Sequence, residues 1–230
     1  MKSHLKRHPA PNSWKIKRKG VVFITRPYPG AHAFSLGISI NTFLKTLVPK
    51  ASSTAEVKKI LLSNTVMVDG SRVKESKYLI GVWDSISIKE SKEHYRLILS
   101  SKGELQAIAI DEKDAGVKPC QITGKTLIKG GKVQLHLSDG RNILVDKDSY
   151  STQDLVLLSL PKQEIKTHVG FGKGVSVFFI GGSYVGKTGI VEDIKDEKII
   201  CKVDGESVET LKRFAFVLGK EKSLIALSEK

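Results

Sequence analysis

Residues 181–188 have the spacing of a phosphate-binding loop. The segment Gly181-Gly182-Ser183-Tyr184-Val185-Gly186-Lys187-Thr188 matches the pattern G-x-x-x-x-G-K-[ST], in which backbone amides and a lysine bind nucleotide phosphates. That chemistry requires a helix to begin at the Lys-Thr pair, so that its first amide groups face the phosphates. Here Gly189 and the β-branched pair Ile190-Val191 follow, which favours a strand. We therefore predict that this segment binds no nucleotide and that the chain carries no cofactor.

The same residues fit a second pattern. Apolar residues alternate from Val175 to Phe179, and glycines follow at positions 182, 186 and 189. This spacing resembles the KOW motif, a glycine-rich β-loop-β unit of small barrels in ribosomal proteins and transcription elongation factors. The resemblance implies an SH3-like KOW barrel over residues 171–219, followed by a C-terminal tail over residues 220–230. Lys187, in the loop of this motif, is a candidate RNA contact.

The basic residues are distributed unevenly along the chain. Ten of the 38 lysines and arginines precede Glu56, whereas all 24 acidic residues lie from Glu56 onward, and the net charge is +14. Lysine and arginine at this density favour a polyanionic partner, whose phosphates they neutralise with release of counterions. The alternative interpretation is a solvated basic tail that has no fixed partner.

Residues 1–35 are predicted to form an extended basic arm that binds RNA. Prolines at positions 9, 11, 27 and 29 disfavour regular structure. We therefore expect the arm through about Thr25 to be disordered until phosphates surround it. Trp14 and Tyr28 could stack on bases or ribose. The RNA-binding candidates in the arm are Lys2, Lys6, Arg7, Trp14, Lys15, Lys17, Arg18, Lys19 and Arg26.

Residues 36–92 are predicted to form a small unit of two helices and a hairpin. Apolar residues recur at helical spacing from Ile40 to Val48, after Ser39 as a cap. A capping box at Ser53-Thr54-Ala55-Glu56 begins the second helix. A strand, a tight turn and a strand follow over Val66 to Val73, and Asp84 to Ile88 alternates like a strand. The basic candidates here, each of which could instead be a solvated surface charge, are Lys45, Lys50, Lys58, Lys59, Arg72 and Lys74.

This order of elements resembles the S-four-type RNA-binding module of ribosomal proteins, some pseudouridine synthases and tyrosyl-tRNA synthetases. In that family the two helices and the hairpin present a basic groove to structured RNA, which the resemblance implies here. The matching residues are Phe43-Leu44, Leu47, Ala51-Ser52, Glu56-Val57, Leu61-Leu62, Val66-Met67-Val68-Asp69-Gly70, Asp84, Ile86 and Ile88.

Residues 93–170 are predicted to form a central β domain. Strands are expected at Tyr95 to Leu99 and Leu105 to Ile110, on either side of a Lys102-Gly103 turn, and later turn signals keep a similar spacing. Lys132, at the end of the segment Lys129-Gly130-Gly131-Lys132, is a candidate phosphate contact, although a plain hairpin turn is the simpler interpretation. We find no acid–base pair, no nucleophile motif and no metal-ligand spacing, and we predict that the chain is not an enzyme.

The predicted fold class is α+β, mostly β, in the order arm, module, β domain and barrel. This order, with patches at Gly130 to Leu135 and Asp139 to Ile143, resembles the archaeal and eukaryotic small-subunit ribosomal proteins of the S-four-e family. The compact length is more typical of archaeal members. The resemblance implies a structural constituent of the small (30S) subunit in the cytoplasm. Its partners would be small-subunit ribosomal RNA and neighbouring ribosomal proteins.

Two other function classes stay open at this point. One is an RNA-modifying enzyme that holds its substrate with the S-four-type module, and the other is a non-ribosomal translation or transcription factor. A membrane partner is not expected, because the longest apolar runs, such as Val21 to Ile24 and Val177 to Ile180, are too short to cross a bilayer. Cys120 and Cys201 are predicted to be packed thiols in a reducing compartment.

Overall fold

The protein is described here from a computed structural model that covers residues 3–63, 66–146, 148–220 and 223–225. These residues divide into two compact units. Unit 1 contains the described residues within 3–99 and 104–116. Unit 2 contains the described residues within 100–103 and 117–225. Strands dominate both units, and the helices are few and short, as the sequence predicts.

Unit 1 contains three sheets and the longest helix. β1 pairs with β2, β3 pairs with β6, and a five-stranded antiparallel sheet has the order β5-β4-β7-β8-β9. In chain order the elements are β1 (Leu5–Lys6), β2 (Phe23–Ile24), β3 (Gly37–Ser39), α1 (Ile40–Thr42), α2 (Thr54–Leu62), β4 (Val66–Val68), β5 (Ser71–Arg72), β6 (Leu79–Gly81), β7 (Ser85–Ile88), β8 (Glu93–Leu99), β9 (Leu105–Ala109) and α3 (Glu112–Ala115). A 3-10 helix, Phe34–Leu36, precedes β3.

The two predicted helices of the module form, with local differences. The Ser39 side chain accepts a hydrogen bond from the Thr42 amide, as expected for a cap. The helix then continues as a π-helical turn, Phe43–Leu47, which is closed by a 3.0 Å hydrogen bond from the Val48 amide to the Phe43 carbonyl. Pro49 follows and ends the helix, because it cannot donate to the next turn.

The cap of α2 differs from the predicted capping box by one residue. Ser53 Oγ accepts from the Glu56 amide at 3.2 Å, as expected. The Glu56 carboxylate, however, accepts from the amide of Ser52 at 2.8 Å, whereas a capping box would have it accept from Ser53. These hydrogen bonds, with that of the Ser52 backbone first, lower the pKa of Glu56.

Unit 2 contains two five-stranded antiparallel sheets, with the orders β12-β11-β10-β13-β14 and β18-β17-β16-β15-β19. In the second sheet the last strand returns to pair with the first, which agrees with the predicted small barrel. The strands are β10 (Val117–Leu127), β11 (Val133–Leu137), β12 (Asn142–Val145), β13 (Leu155–Ser159), β14 (Glu164–Val169), β15 (Ser176–Phe179), β16 (Thr188–Lys195), β17 (Lys198–Val203), β18 (Glu206–Leu211) and β19 (Ala215–Gly219). A 3-10 helix, Lys212–Phe214, precedes β19.

Both sheets of unit 2 carry buried apolar side chains. A buried cluster in the first sheet includes Cys120, Ile122, Leu135 and Val156. Cys120 and Cys201 are both buried free thiols, as predicted. Burial raises the pKa of Cys120 well above its ordinary range and that of Cys201 to about 11.

The division of the structure differs from the boundary expected between residues 92 and 93. β7 pairs with β8, and β8 pairs with β9, so the sheet that begins in the module continues through Ala109. A boundary at residue 92 would divide this sheet between β7, which also pairs with β4, and β8. The expected segments 93–170 and 171–219 also lie in the same compact unit from Val117 onward, although each contributes its own sheet.

The predicted arm is more ordered in the structure than expected. β1 and β2 pair Leu5 with Ile24 and Lys6 with Phe23, and Leu5, Ala10 and Trp14 are buried. These apolar side chains lie between the charges, and their burial orders the backbone despite the neighbouring prolines. The expectation of an arm without regular structure is therefore corrected for residues 3–35.

Candidate RNA-binding surface

The guanidinium of Arg18 holds the first part of the arm in a closed loop. Its Nη1 donates to the carbonyl oxygens of Arg7 at 3.0 Å and Ala10 at 2.6 Å, and its Nη2 donates to that of Pro11 at 2.9 Å. Arg7 in turn donates from Nη1 to the Lys17 carbonyl at 2.8 Å. The two arginines therefore organise the backbone that presents the neighbouring lysines, a role that the sequence did not suggest.

Trp14 anchors the arm to the module. The residue is 2% exposed, its indole Nε1 donates to the Gly37 carbonyl at 2.8 Å, and its ring centroid lies 5.5 Å from that of Phe34. A ring buried in this way has no open face on which a base could stack. The prediction that Trp14 stacks on RNA is corrected, because the indole supplies packing and a hydrogen bond instead.

The arm lysines face solvent. Lys6, Lys15, Lys17 and Lys19 are exposed, and in the described part of the chain none of them forms an ion pair with an acidic side chain. Arg26 is half-buried, with its guanidinium carbon 5.7 Å from the centroid of the Phe34 ring. Lys2 lies outside the described residues. The arm thus presents several cations whose charge has no local compensation.

The module adds five more cations of the same kind. Lys58 and Lys59 are exposed on α2, Arg72 and Lys74 are exposed on or next to β5, and Lys45 is half-buried on the π-helical turn. Within residues 3–63, 66–146, 148–220 and 223–225, no acidic side chain pairs with any of them. The turn before β5 has positive φ at Asp69 and Gly70, 50° and 74°, which fits the predicted Asp-Gly hairpin.

The remaining three candidates are lysines in local ion pairs. Lys50 Nζ lies 2.7 Å from a Glu93 carboxylate oxygen, Lys132 Nζ lies 3.3 Å from Asp146, and Lys187 Nζ lies 2.8 Å from Asp204. The hydrogen bond from Lys50 lowers the pKa of Glu93, and that from Lys187 to Asp204 raises the pKa of the lysine. Their charges are partly compensated, which makes them weaker candidates for phosphate contacts than the lysines that form no ion pair.

The loop that matches a phosphate-binding pattern is followed by a strand, as predicted. β16 begins at Thr188 and pairs with both β15 and β17, so a strand stands where a phosphate-binding loop would begin its helix. Gly186 has φ 78°, and a Cβ at this residue would collide with the Ser100 carbonyl. The glycine is therefore required by backbone geometry and close packing, independently of any phosphate.

Metal-binding clusters and membrane-spanning helices are both absent from the described residues. No group of three or more His, Cys, Asp or Glu side chains there could hold a metal ion. In the same residues no helix has the length and apolar content needed to cross a membrane.

Family models and relatives match the chain along its length. The model of the RS4NT (NUC023) domain matches residues 1–35, and that of the ribosomal family S4e matches residues 91–165. The small ribosomal subunit protein eS4 of Methanocaldococcus jannaschii is 37% identical over 240 residues, which cover 98% of this chain and 98% of the relative. The protein of the same name from Methanococcus maripaludis strain C6 is 33% identical with the same coverage.

A solved structure has the same fold. The crystal structure of the 30S ribosomal protein S4e from Thermoplasma acidophilum superposes with a TM-score of 0.71 at 25% identity, covering 84% of this chain and 98% of that chain.

The matched family and relatives are ribosomal proteins, and they place this mostly β protein, with its basic arm and helix–hairpin module, in the same class. The chain belongs to the S4e family of small-subunit ribosomal proteins. The resemblance to the S-four-e family is thereby confirmed, and the archaeal relatives agree with the archaeal character that the sequence indicated.

Proposed function

We propose that the protein is a structural constituent of the small ribosomal subunit, in which it binds small-subunit ribosomal RNA and supports translation. The observation that carries this proposal is the 37% identity, over 98% of both chains, with a protein named for that subunit. The family is one of structural ribosomal proteins, so the protein is not an enzyme. Its place is the ribosome, in the cytoplasm, beside neighbouring ribosomal proteins.

The unpaired cations of unit 1 are the proposed contacts to RNA. The exposed arm lysines and the lysines of α2 carry uncompensated charge, and each phosphate that they neutralise releases a counterion. Arg7 and Arg18 hold the arm backbone in place, so its lysines are presented in a fixed arrangement. Contacts of this kind position the protein on folded RNA without reading the sequence of bases.

A titration of the full chain on small-subunit rRNA tests the proposal. The double variant Lys58→Gln/Lys59→Gln should weaken binding and lower the slope of log affinity against log salt by roughly 1.5 units, since each phosphate contact contributes roughly 0.7–0.9. The matched control is Lys173→Gln/Lys198→Gln. Both of these lysines are exposed but ion-paired, with Asp193 at 2.7 Å and Glu209 at 2.8 Å.

The control should leave the slope almost unchanged. Equal slopes for the two double variants would remove α2 from the proposed surface. A wild-type chain that bound small-subunit rRNA no better than an unrelated RNA of equal length would argue against the ribosomal function itself.

A further inference from the structure

A pocket in unit 1 combines aromatic rings with cations. It has a volume of about 400 Å³ and lies between the segment from Arg26 to Phe34 and the backbone around Leu79. Tyr28 and Phe34 line it while remaining 52% and 39% exposed. Large rings left partly open to water at a concave site are typical of a surface that receives a ligand.

The walls of the pocket are held in place by contacts with the module. The Tyr28 amide donates to the Lys77 carbonyl at 2.9 Å. His32 Nε2 lies 2.9 Å from Asp84 Oδ1, and its ring packs so closely over Gly81 that a Cβ there would collide with it. The pocket is therefore preformed, which reduces the entropy that a ligand must overcome on binding.

The charges at the pocket favour an anionic, aromatic ligand. Lys77 Nζ lies 5.3 Å from the centroid of the Tyr28 ring, and the Arg26 guanidinium carbon lies 5.7 Å from that of Phe34. No lining residue is acidic, and in the described part of the chain neither cation forms an ion pair. A nucleotide supplies both a flat base for the rings and a phosphate for the cations.

We infer that this pocket receives a single unpaired nucleotide of the bound RNA, with its base stacked on Tyr28 or Phe34 and its phosphate beside Arg26 and Lys77. The inference rests on the proposed function, since the nucleotide belongs to the RNA that the protein binds. Single-stranded loops and bulges supply such nucleotides, because their bases are free to leave the stack. Binding in the pocket would then depend on the shape of the RNA, whereas the contacts of the exposed lysines depend on phosphate charge alone.

The test measures affinity for small-subunit rRNA with Tyr28→Ala and Phe34→Ala in the full chain. Loss of one stacked base should lower affinity about tenfold, without changing the salt slope, because the rings carry no charge. Tyr28→Phe should keep the affinity, since it keeps the ring. Tyr78→Ala is the matched control, because Tyr78 is 43% exposed in the same unit but does not line the pocket. Circular dichroism should show that each variant is folded.

The cations supply an independent readout. Lys77→Gln should lower the salt slope by roughly 0.7–0.9, as expected for one lost phosphate contact. Photo-crosslinking of the wild-type complex should place one nucleotide on Tyr28 or Phe34, and the crosslink should be absent from the corresponding alanine variant.

Three outcomes would overturn the inference. In the first, Tyr28→Ala and Phe34→Ala bind rRNA as well as Tyr78→Ala does. In the second, Tyr28→Ala and Phe34→Ala bind isolated rRNA normally but do not assemble into reconstituted small subunits. That result would assign the pocket to a neighbouring protein. In the third, the wild-type chain itself fails to bind the rRNA, and this result would overturn the proposed function as well.

Discussion

The indole Nε1 of Trp14 donates a 2.8 Å hydrogen bond to the carbonyl oxygen of Gly37, where β3 begins. This bond joins the basic arm to the module across 23 residues of chain. Because the ring is 2% exposed, the arm is packed against the module through its only tryptophan. The lysines on either side of Trp14 are thereby presented from a fixed backbone.

Replacing Trp14 should release the arm. Trp14→Ala should lower the free energy of unfolding by about 3–5 kcal/mol, the usual cost of truncating a buried tryptophan. Trp14→Phe should cost less, because it keeps most of the packing and mainly leaves the Gly37 carbonyl without its donor, at a cost of about 1–3 kcal/mol. Urea unfolding measures both changes.

Limited trypsin digestion of the free protein gives the structural control for the same variants. The sites after Lys15, Lys17 and Lys19 should be protected in the wild type and cleaved quickly in Trp14→Ala. Rapid cleavage at these sites in the wild type would show that the arm is disordered without RNA, as its prolines and charge alone suggest.

The arm lysines should account for part of the salt dependence of RNA binding. The variant with Lys6, Lys15, Lys17 and Lys19 all changed to Gln keeps Trp14 and both organising arginines. If all four touch phosphate, the slope of log affinity against log salt should fall by roughly three units. Filter binding to small-subunit rRNA at several salt concentrations measures it, and an unchanged slope would make the arm a solvated tail.

Lys187 should have little importance for any phosphate ligand. The purified protein is expected neither to bind nor to hydrolyse ATP or GTP, because a strand begins at Thr188. Lys187→Ala should weaken RNA binding only slightly, since Asp204 already compensates the lysine at 2.8 Å. Asp204→Asn should act in the opposite direction by freeing that charge. Isothermal titration with nucleotide decides the first point, and micromolar affinity that disappears in Lys187→Ala would contradict it.

Cys201 should make stability fall at alkaline pH. Burial raises the pKa of its thiol from an ordinary value of 9.0 to about 11. The folded state therefore holds the proton more tightly than the unfolded state, and this contribution is complete below pH 9 and is lost as the pH rises through about 11. Under reducing conditions, the unfolding free energy of the wild type should decline more steeply over this range than that of Cys201→Ala. Parallel pH profiles of the two proteins would show that the Cys201 thiol does not contribute to the loss of stability.

The helix caps and the tight turn were predictable from the sequence, whereas the pairing of strands was not. The caps at Ser39 and Ser53 and the Asp69-Gly70 turn depend on residues within four positions of each other, so a single sequence shows their signals. The pairing of β7 with β8 was missed although the two strands are close in sequence, because alternating apolar residues predict a strand but not the strand that it pairs with.

The candidate site shows the same limit. The density of basic residues predicted the exposed lysines of the arm and α2 as RNA contacts. It could not show that Lys50, Lys132 and Lys187 differ from them by forming ion pairs, because their acidic partners lie 14 to 43 residues away in sequence. Nor could it show that Arg18 binds backbone carbonyls. Trp14 was assigned to stacking because it lies among charges, whereas its burial depends on Phe34 and Gly37, which lie far along the chain.

The most direct test of the central claim is retention of the protein on small ribosomal subunits at high salt. Tagged protein expressed in an archaeal host would be followed through sucrose-gradient sedimentation, first at low and then at high salt. An integral constituent held by many phosphate contacts and by its folded module should stay with the small subunit in near-stoichiometric amount after the high-salt wash. Complete release into the supernatant, while other small-subunit proteins remain bound, would contradict the account and indicate a factor that cycles on and off RNA.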